Sequence, residues 1–522
     1  MLTTQIPFSQ HLAFVIGVAN YKADSISTLK TPLNDAQLVA SQLAAQGFEV
    51  HTSLDPTATE MRNFLAFIKK ECASHDTRVV IYYAGHGTQQ DEASGLKGYL
   101  LPVDANIDDS STLIAMQALD NALKDLPSRH VLLILDCCFA GTFRLSTTRA
   151  AGKMPKMTRQ YYDMFTQYPS RKVLTSTSSR QKALDTIDLG DKNSPFARLL
   201  VQGISGLADE GDGDRLVTTS ELHTYLKNQL TLITQTAGNQ QSVEIGALSG
   251  DGDGEFIFFL DGFAESQLKI QDYDNPYKGL KSYNSEDAGI FFGRQKAIES
   301  LLVKVKEQRF VIVTGASGTG KSSLVKAGVL PRLQNIGLLP NDPTVIIIRP
   351  GKDPSVSLPQ NDDWDLLMID QWEEVITQAN DNADIAAFYQ KIKTWLDKGK
   401  RIIGTVRADF EAQTRHDLLE DYWKNGRFLV PAFTPDEYYD VIVQPARRVA
   451  CLFEEASLIQ SIQEEVSGEP GPLPLLSFLL QELFEKTKNE TARLRQIKRK
   501  HYDELGGFVL GFFKQFLQQK RQ

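Results

Sequence analysis

The chain has 522 residues, 42% hydrophobic and 23% charged, which at roughly 150 residues per domain predicts about three domains and excludes wholesale disorder, collagen or a mucin-like stalk. Lys plus Arg number 56 against 65 Asp plus Glu, and the formal charge of −9 opposes nucleic-acid binding through the whole surface. With four cysteines (Cys72, Cys137, Cys138, Cys451) a disulfide framework is not expected, no apolar run is long enough to span a bilayer, and the chain is expected to be cytoplasmic and to engage no membrane.

Short β-branched or aromatic runs alternate with longer helix-like stretches, the pattern of a mostly parallel sheet covered by helices, and it occurs twice. In the first half, strands are expected at 12–17, 79–84, 131–136 and 173–176, with a late strand at 255–260. Between the first two, Asn34 can cap a helix that Gly47 stops. A polar stretch around Asn275-Pro276 predicts a linker at 263–285. In the second half, strands are expected at 310–314, 345–349, 366–370 and 402–406, and from about Thr434 the pattern turns helical, with 473–483 strongly apolar. The fold class is α/β, divided as 1–262, the linker 263–285, 286–432 and a helical 433–522.

The first chemical constellation is Tyr82-Tyr-Ala-Gly-His-Gly87 after one strand and Asp136-Cys-Cys-Phe-Ala-Gly141 after another. Carboxyl ends of parallel strands face one crevice, so His86 and a cysteine can converge there. A thiolate would attack a carbonyl carbon while imidazole handles the proton, and the N–H groups of Gly87 and Cys138 are candidates for an oxyanion hole. The alternative is a packed histidine beside buried thiols.

These motifs closely resemble the caspase-like cysteine peptidases, above all the metacaspase and bacterial branch. The resemblance runs from Phe14-Val-Ile-Gly-Val-Ala-Asn-Tyr21 and Asn34-Asp35 through Tyr99-Leu-Leu-Pro-Val-Asp104 to about Leu260. It implies that 1–262 is a caspase-like peptidase domain, a mostly parallel sheet sandwiched by helices, with His86 and Cys138 catalytic and Cys137 at a variable position. It further implies cleavage of protein substrates after Arg or Lys, with Asp136 in the specificity pocket; a carboxylate accepting a hydrogen bond from nearby backbone is the other reading. No second pocket acid is assigned.

Glu210-Gly-Asp-Gly-Asp-Arg-Leu-Val-Thr-Thr-Ser-Glu221 nearly matches a calcium-binding EF-hand loop, with Glu210, Asp212, Asp214 and Glu221 at ligand positions. Arg215 replaces the glycine of the sharp turn, which weakens the case for Ca2+, and a capping box at Thr218 and Glu221 accounts for the same residues.

The second constellation, Thr314-Gly-Ala-Ser-Gly-Thr-Gly-Lys-Ser-Ser323, satisfies the Walker A pattern. Gly315, Gly318 and Gly320 let backbone N–H groups face phosphate, Lys321 reaches the terminal phosphates, and Ser322 is placed for Mg2+, with Ser323 beside it. Leu366-Leu-Met-Ile-Asp-Gln-Trp-Glu-Glu374 supplies a Walker B partner in which Asp370 serves the Mg2+ ion and Glu373 or, slightly preferred, Glu374 orients water. Arg407, at the end of the next strand, could sense the γ-phosphate or form an ordinary ion pair.

This half resembles the STAND ATPases, in particular a bacterial branch opening with a motif like Asn275-Pro-Tyr-Lys-Gly-Leu280. The resemblance spans about 275 to 510. It implies that 286–432 is a P-loop NTPase core and 433–522 a helical domain, with Arg294 of Phe291-Phe-Gly-Arg294 near the nucleobase and Pro474 of Gly471-Pro-Leu-Pro-Leu475 as a helical-domain contact. ATP or dATP with Mg2+ is favoured over GTP because no Asn-Lys-x-Asp signature occurs. Relatives continue into a repeat-built sensor, so the trigger is expected to act through a carboxy-terminal part missing here. The expected function is a signal-regulated endopeptidase in bacterial defence or cell death that forms a homo-oligomer on activation; the alternative is an ATP-dependent scaffold with a non-catalytic caspase-like domain. Nucleic acid is not an expected partner.

Overall fold

Every residue of Thr77–Ala84 is buried, as a strand covered on both faces requires. It is the third strand of a sheet within the first of two units, 1–271 and 272–522. The computed structural model describes residues 7–92, 95–137, 146–147, 156–177, 191–209, 213–236, 242–467, 471–488 and 494–507.

Twelve strands are described in the first unit: β1 Gln10–Gly17, β2 Glu49–Leu54, β3 Thr77–Ala84, β4 Gly87–Glu92, β5 Gly95–Leu100, β6 Ile114–Ala115, β7 His130–Asp136, β8 Ser146–Thr147, β9 Ser170–Thr175, β10 Leu216–Thr218, β11 Glu244–Ala247 and β12 Ile257–Phe259. The main sheet runs β2-β1-β3-β7-β9-β11-β8, parallel from β2 to β9 and antiparallel at β11 and β8. Alternation along β1 divides the core. Leu12, Phe14 and Ile16 join Met61 and Ile68 of the helix Ala58–Glu71, whereas Ala13 and Val15 join Val39 and Leu43 of the helix Pro32–Ala45. Each such large apolar side chain contributes roughly 1.5–3 kcal/mol on burial.

Two expectations are corrected, and one sheet is found that no expectation covered. The helix expected to be capped by Asn34 has Thr31 at its N-cap, because Pro32 with its fixed φ suits the first helical position, and Gly47 follows the end at φ 81°. The late strand shortens to β12 and leaves the main sheet, pairing with β10 alone, since β11 already holds the place beside β9. β4, β5 and β6 form a separate antiparallel sheet directly after His86.

The second unit is built on β13 Phe310–Gly315, β14 Val345–Ile348, β15 Leu366–Ile369, β16 Arg401–Arg407 and β17 Arg427–Leu429, all parallel in the order β14-β15-β16-β13-β17. Thr434 and Glu437 form a capping box on the helix Pro435–Arg447, which begins the helical region. That region also holds a parallel pair, β18 Cys451–Phe453 with β19 Arg495–Ile497, too short to register as strands in the sequence. The stretch 263–285 divides at 271: Gln271 N–H donates to Gln160 in the first unit, while Tyr277 is buried in the second.

Candidate functional site

Ala84 at the end of β3 is in register with Asp136 at the end of β7, so the segments that follow leave the sheet side by side. Gly85 makes the first turn, and a Cβ there would lie 2.7 Å from Tyr83 Oη and 3.0 Å from Tyr21 Oη. Those hydroxyls instead hold the main chain of His86: its N–H donates to Tyr21 Oη at 2.7 Å, and its carbonyl accepts from Tyr83 Oη at 2.8 Å and from Leu101 N–H at 3.1 Å. The imidazole Nε2 lies 2.8 Å from the Ser27 carbonyl oxygen. A carbonyl only accepts, so this contact favours the tautomer with the proton on Nε2 and leaves Nδ1 as the basic nitrogen. Gly87 opens β4 opposite Leu100.

Cys138, expected as the nucleophile, lies outside the described residues, as do Ala140 and Gly141. Cys137 is described. It is 1% exposed and continues the face of Leu133 and Leu135 into the core, and its carbonyl accepts from Thr177 Oγ1 at 3.0 Å.

Asp136 sits on the opposite face of β7. Its Oδ2 accepts from Ser194 Oγ at 3.0 Å and Tyr82 Oη at 3.4 Å. Burial, reinforced by the negative charge of Asp35, raises its pKa to about 7. Asp35 is the acid that sequence reasoning missed. It is buried one residue beyond Asn34, accepts from Ser194 N–H and Asn193 Nδ2 at 2.9 Å each, and has its pKa raised by burial. An acid in the first turn of the expected helix reads as an ordinary helix start; the available signal was its place in the Asn34-Asp35 pair. Asp104 has a local duty, accepting from Ala58 N–H at 2.7 Å at the start of the helix Ala58–Glu71.

The EF-hand reading is not assembled by the side chains that are described. Glu221 Oε2 accepts from Thr218 N–H and Oγ1 at 2.8 Å each, which is the capping box, and Asp214 Oδ1 accepts from Leu216 N–H at 2.8 Å. Glu210 and Asp212 lie outside the described residues, among which no cluster suited to a metal ion occurs.

In the second unit, the turn after β13 is held open by glycines. Gly318 and Gly320 have φ of 75° and 81°, and a Cβ on Gly318 would meet the Gly471 carbonyl oxygen at 2.6 Å. Lys321 Nζ rests on the carbonyls of Gly315 and Ala316 at 2.9 and 2.8 Å, and burial lowers its pKa. Ser322 Oγ donates to Asp370 Oδ1 at 2.6 Å, which brings the two expected Mg2+ residues together. Asp370 also accepts from Thr405 Oγ1 at 2.8 Å and from the buried ammonium of Lys326 at 2.7 Å. Burial alone would raise the Asp370 carboxyl, but Lys326 and Ser322 outweigh it and hold it below the usual carboxylate range. Lys326 was not singled out from sequence, although it lies one helical turn beyond Ser322.

The two candidate glutamates part company. Glu373 is buried, accepts from Arg407 N–H at 3.2 Å and lines the cavity over the phosphate loop; Glu374, the sequence preference, accepts from Gly351 N–H at 3.1 Å and does not line it. Arg407 lines the cavity with its guanidinium paired to Asp409 at 2.6 Å. Arg294 is 3% exposed and donates to the Pro431 and Thr319 carbonyls at 2.7 and 3.1 Å, with Phe433 stacked 3.5 Å from its guanidinium carbon. It therefore braces the phosphate loop instead of presenting a free cation. Ser323 Oγ accepts from Tyr283 N–H at 3.1 Å, fastening the segment after Asn275 to the loop, and Pro474 packs on Gly318.

The cavity over the phosphate loop has a volume of about 310 Å³. Its lining includes the polar Lys321, Ser322, Glu373 and Arg407 and the apolar or aromatic Tyr283, Phe291, Phe292 and Leu480. Charged and aromatic side chains lining one cavity, with glycines where a Cβ would intrude, fit a nucleoside triphosphate. Lys321 and the loop N–H groups would hold its phosphates, and Ser322 and Asp370 an accompanying Mg2+.

Residues 10–247 match the family described as caspase domain, peptidase C14, and residues 276–511 match the family described as novel STAND NTPase 1. Among solved structures, the crystal structure of caspase-1 from Spodoptera frugiperda is similar at 14% identity, covering 48% of this chain and 95% of that one with a TM-score of 0.32. No curated relative matches the chain. No helix among the described residues is long and apolar enough to cross a membrane.

Proposed function

In a chain that joins a caspase-like domain to a STAND NTPase domain, we propose a cysteine endopeptidase that cleaves proteins after Arg or Lys under the control of an ATP- or dATP-binding switch. The observation that carries this reading is His86, whose Nε2 is oriented by the Ser27 carbonyl so that Nδ1 is left basic, at the carboxyl end of the strand beside the one that leads into Cys138.

In this reading Nδ1 of His86 takes the Cys138 thiol proton, the thiolate attacks the scissile carbonyl carbon, and the N–H groups of Gly87 and Cys138 hold the oxyanion. The C–N bond breaks as His86 returns the proton to the leaving amine. Water, deprotonated by the same nitrogen, then hydrolyses the thioester and regenerates the thiol. Asp136 and Asp35 provide the negative field for a guanidinium or ammonium in the pocket.

A bound nucleoside triphosphate supplies the phosphate charge against which Lys321, Glu373 and Arg407 are arranged. A protease fused to such a switch calls for a quiet resting state and activation by assembly of several copies, in bacterial defence or programmed death in the cytoplasm. A trigger must favour the open form by several kcal/mol to move a closed population.

The test fuses the chain to an inducible dimerisation module and follows fluorogenic peptides ending in Arg, Lys or Asp. Low basal cleavage of the basic peptides that rises on pairing, and is absent in Cys138→Ala, is expected. Preference for the Asp peptide overturns the specificity; undiminished cleavage in Cys138→Ala overturns the mechanism.

A further inference from the structure

The turn after β15 holds a residue that the nucleotide reading leaves unused. Gln371 has a φ of 60°, a left-handed conformation that costs a non-glycine residue free energy and persists only where its neighbours over-determine it. Here they do. Gln371 N–H donates to Thr405 Oγ1 at 2.9 Å and Trp372 N–H to the Thr405 carbonyl at 2.7 Å. On one side Asp370 is fixed by Ser322 and Lys326; on the other the Trp372 ring is fully buried, with its Nε1–H donating to Tyr389 Oη at 3.2 Å.

Gln371 lines the cavity, as do Lys321, Glu373, Thr405 and Arg407. Among the described residues its carboxamide has no hydrogen-bond partner, although most polar groups around it are engaged: Lys321 on loop carbonyls, Glu373 on Arg407 N–H, Arg407 on Asp409. A half-buried amide on the cavity wall is hydrogen-bonded by water until a ligand oxygen takes that place.

We propose that Gln371 reads the terminal phosphate: its carboxamide N–H donates to a γ-phosphate oxygen and so distinguishes nucleoside triphosphate from diphosphate. The chemistry suits the task. Lys321 attracts any polyphosphate through its charge, whereas a neutral donor adds a short-range bond that exists only when an oxygen stands at the right place. The strained turn fixes the backbone from which that donor extends, between the anchored Asp370 and Trp372.

This inference rests on the cavity being a nucleotide site, and the experiment separates the two. Calorimetry with ATP and with ADP is run on the full chain, on Lys321→Ala, and on Gln371→Gly and Gln371→Glu. Gln371→Gly should bind ADP within about twofold of the parent and ATP about 10-fold more weakly, the weight of one neutral hydrogen bond, with an undiminished thermal midpoint because glycine accepts the left-handed φ. Gln371→Glu, similar in shape but anionic, should lose at least as much ATP affinity. An unchanged ATP-to-ADP ratio in both variants, or equal loss of the two nucleotides, overturns the proposal while leaving the cavity assignment intact. If the parent binds neither nucleotide, or Lys321→Ala binds both as the parent does, the cavity assignment itself fails, and the role of Gln371 with it.

Discussion

Asp35 and Asp136 share one serine: Ser194 gives its N–H to Asp35 at 2.9 Å and its hydroxyl to Asp136 at 3.0 Å. Ser194 is also the N-cap of the helix Pro195–Gln202, so helix, both acids and sheet are fastened at a single residue. Two buried carboxyls this close cannot both ionise cheaply, and Asp136 takes up its proton near pH 7.

The native state therefore keeps a proton through the window from about pH 4 to 7 in which an unfolded aspartate has lost it, and stability falls as pH rises through that window. Asp136→Asn should raise the melting temperature at pH 8 by several degrees, at about 2–4 °C per kcal/mol, and change it little at pH 4. The ratio of Arg-peptide to neutral-peptide cleavage should climb from pH 5.5 to 8 in the parent and stay flat in Asp136→Asn. A flat parent ratio would show that Asp136 does not face the basic side chain.

The two adjacent cysteines should separate cleanly. Cys137 is packed in the core, so Cys137→Ala should retain most cleavage and lose about 1 kcal/mol of stability. Cys138→Ala should be inactive, and His86→Ala should fall by at least about 100-fold. Ser27→Ala removes only a hydroxyl and keeps the carbonyl that orients His86, so activity within about threefold of the parent is expected. Peptide kinetics on the dimerised protein measure all four, and a dead Cys137→Ala that is still folded would reassign the nucleophile.

Lys326 and Asp370 form a buried pair whose halves protect one another. Lys326→Met leaves the carboxylate with hydroxyl donors and the exposed Arg349 guanidinium 3.7 Å away, and should cost about 3 kcal/mol. Asp370→Asn in the same chain should recover most of that loss, because no charge then remains buried. Denaturant unfolding of the two singles and the double closes the cycle; additive losses would mean that the ammonium acts elsewhere.

Lys321→Ala should weaken ATP binding on the order of 100-fold, the weight of a charge-assisted contact of about 3 kcal/mol. Arg294→Lys should weaken it less and through a different route, since one ammonium cannot serve the Thr319 and Pro431 carbonyls and also stack on Phe433. Its signature is a lower melting temperature without nucleotide, which Lys321→Ala should not share.

The strands that hold the chemistry were legible because they are buried on both faces and read as unbroken apolar runs: β1, β3, β7, β13, β15 and β16 lie where the pattern places them. The Walker residues were legible as well, since phosphate geometry dictates spacing along one short loop. What the pattern hid depends on folding back. Asp35 and Asp136 are far apart in sequence, and only the sheet register with Ser194 between them brings them together. Glu373 and Glu374 are neighbours whose difference is decided by the sharp turn at Gln371. β17, β18 and β19 are three residues each and owe their strand form to pairing partners, not to their own preference.

The approach of Gly318 to Gly471 constrains what mutation can explore. Either position given a side chain would strike backbone on the other segment, Gly471 at the Ser317 carbonyl oxygen 2.4 Å from a would-be Cβ and Gly318 at the Gly471 carbonyl oxygen at 2.6 Å, and both have positive φ. Neither side can yield by rotating a rotamer, because the obstacle is main chain. In a randomised library sorted for retained nucleotide both glycines should survive, each whatever the other position carries, so that the invariance of two distant sequence positions reports one van der Waals gap.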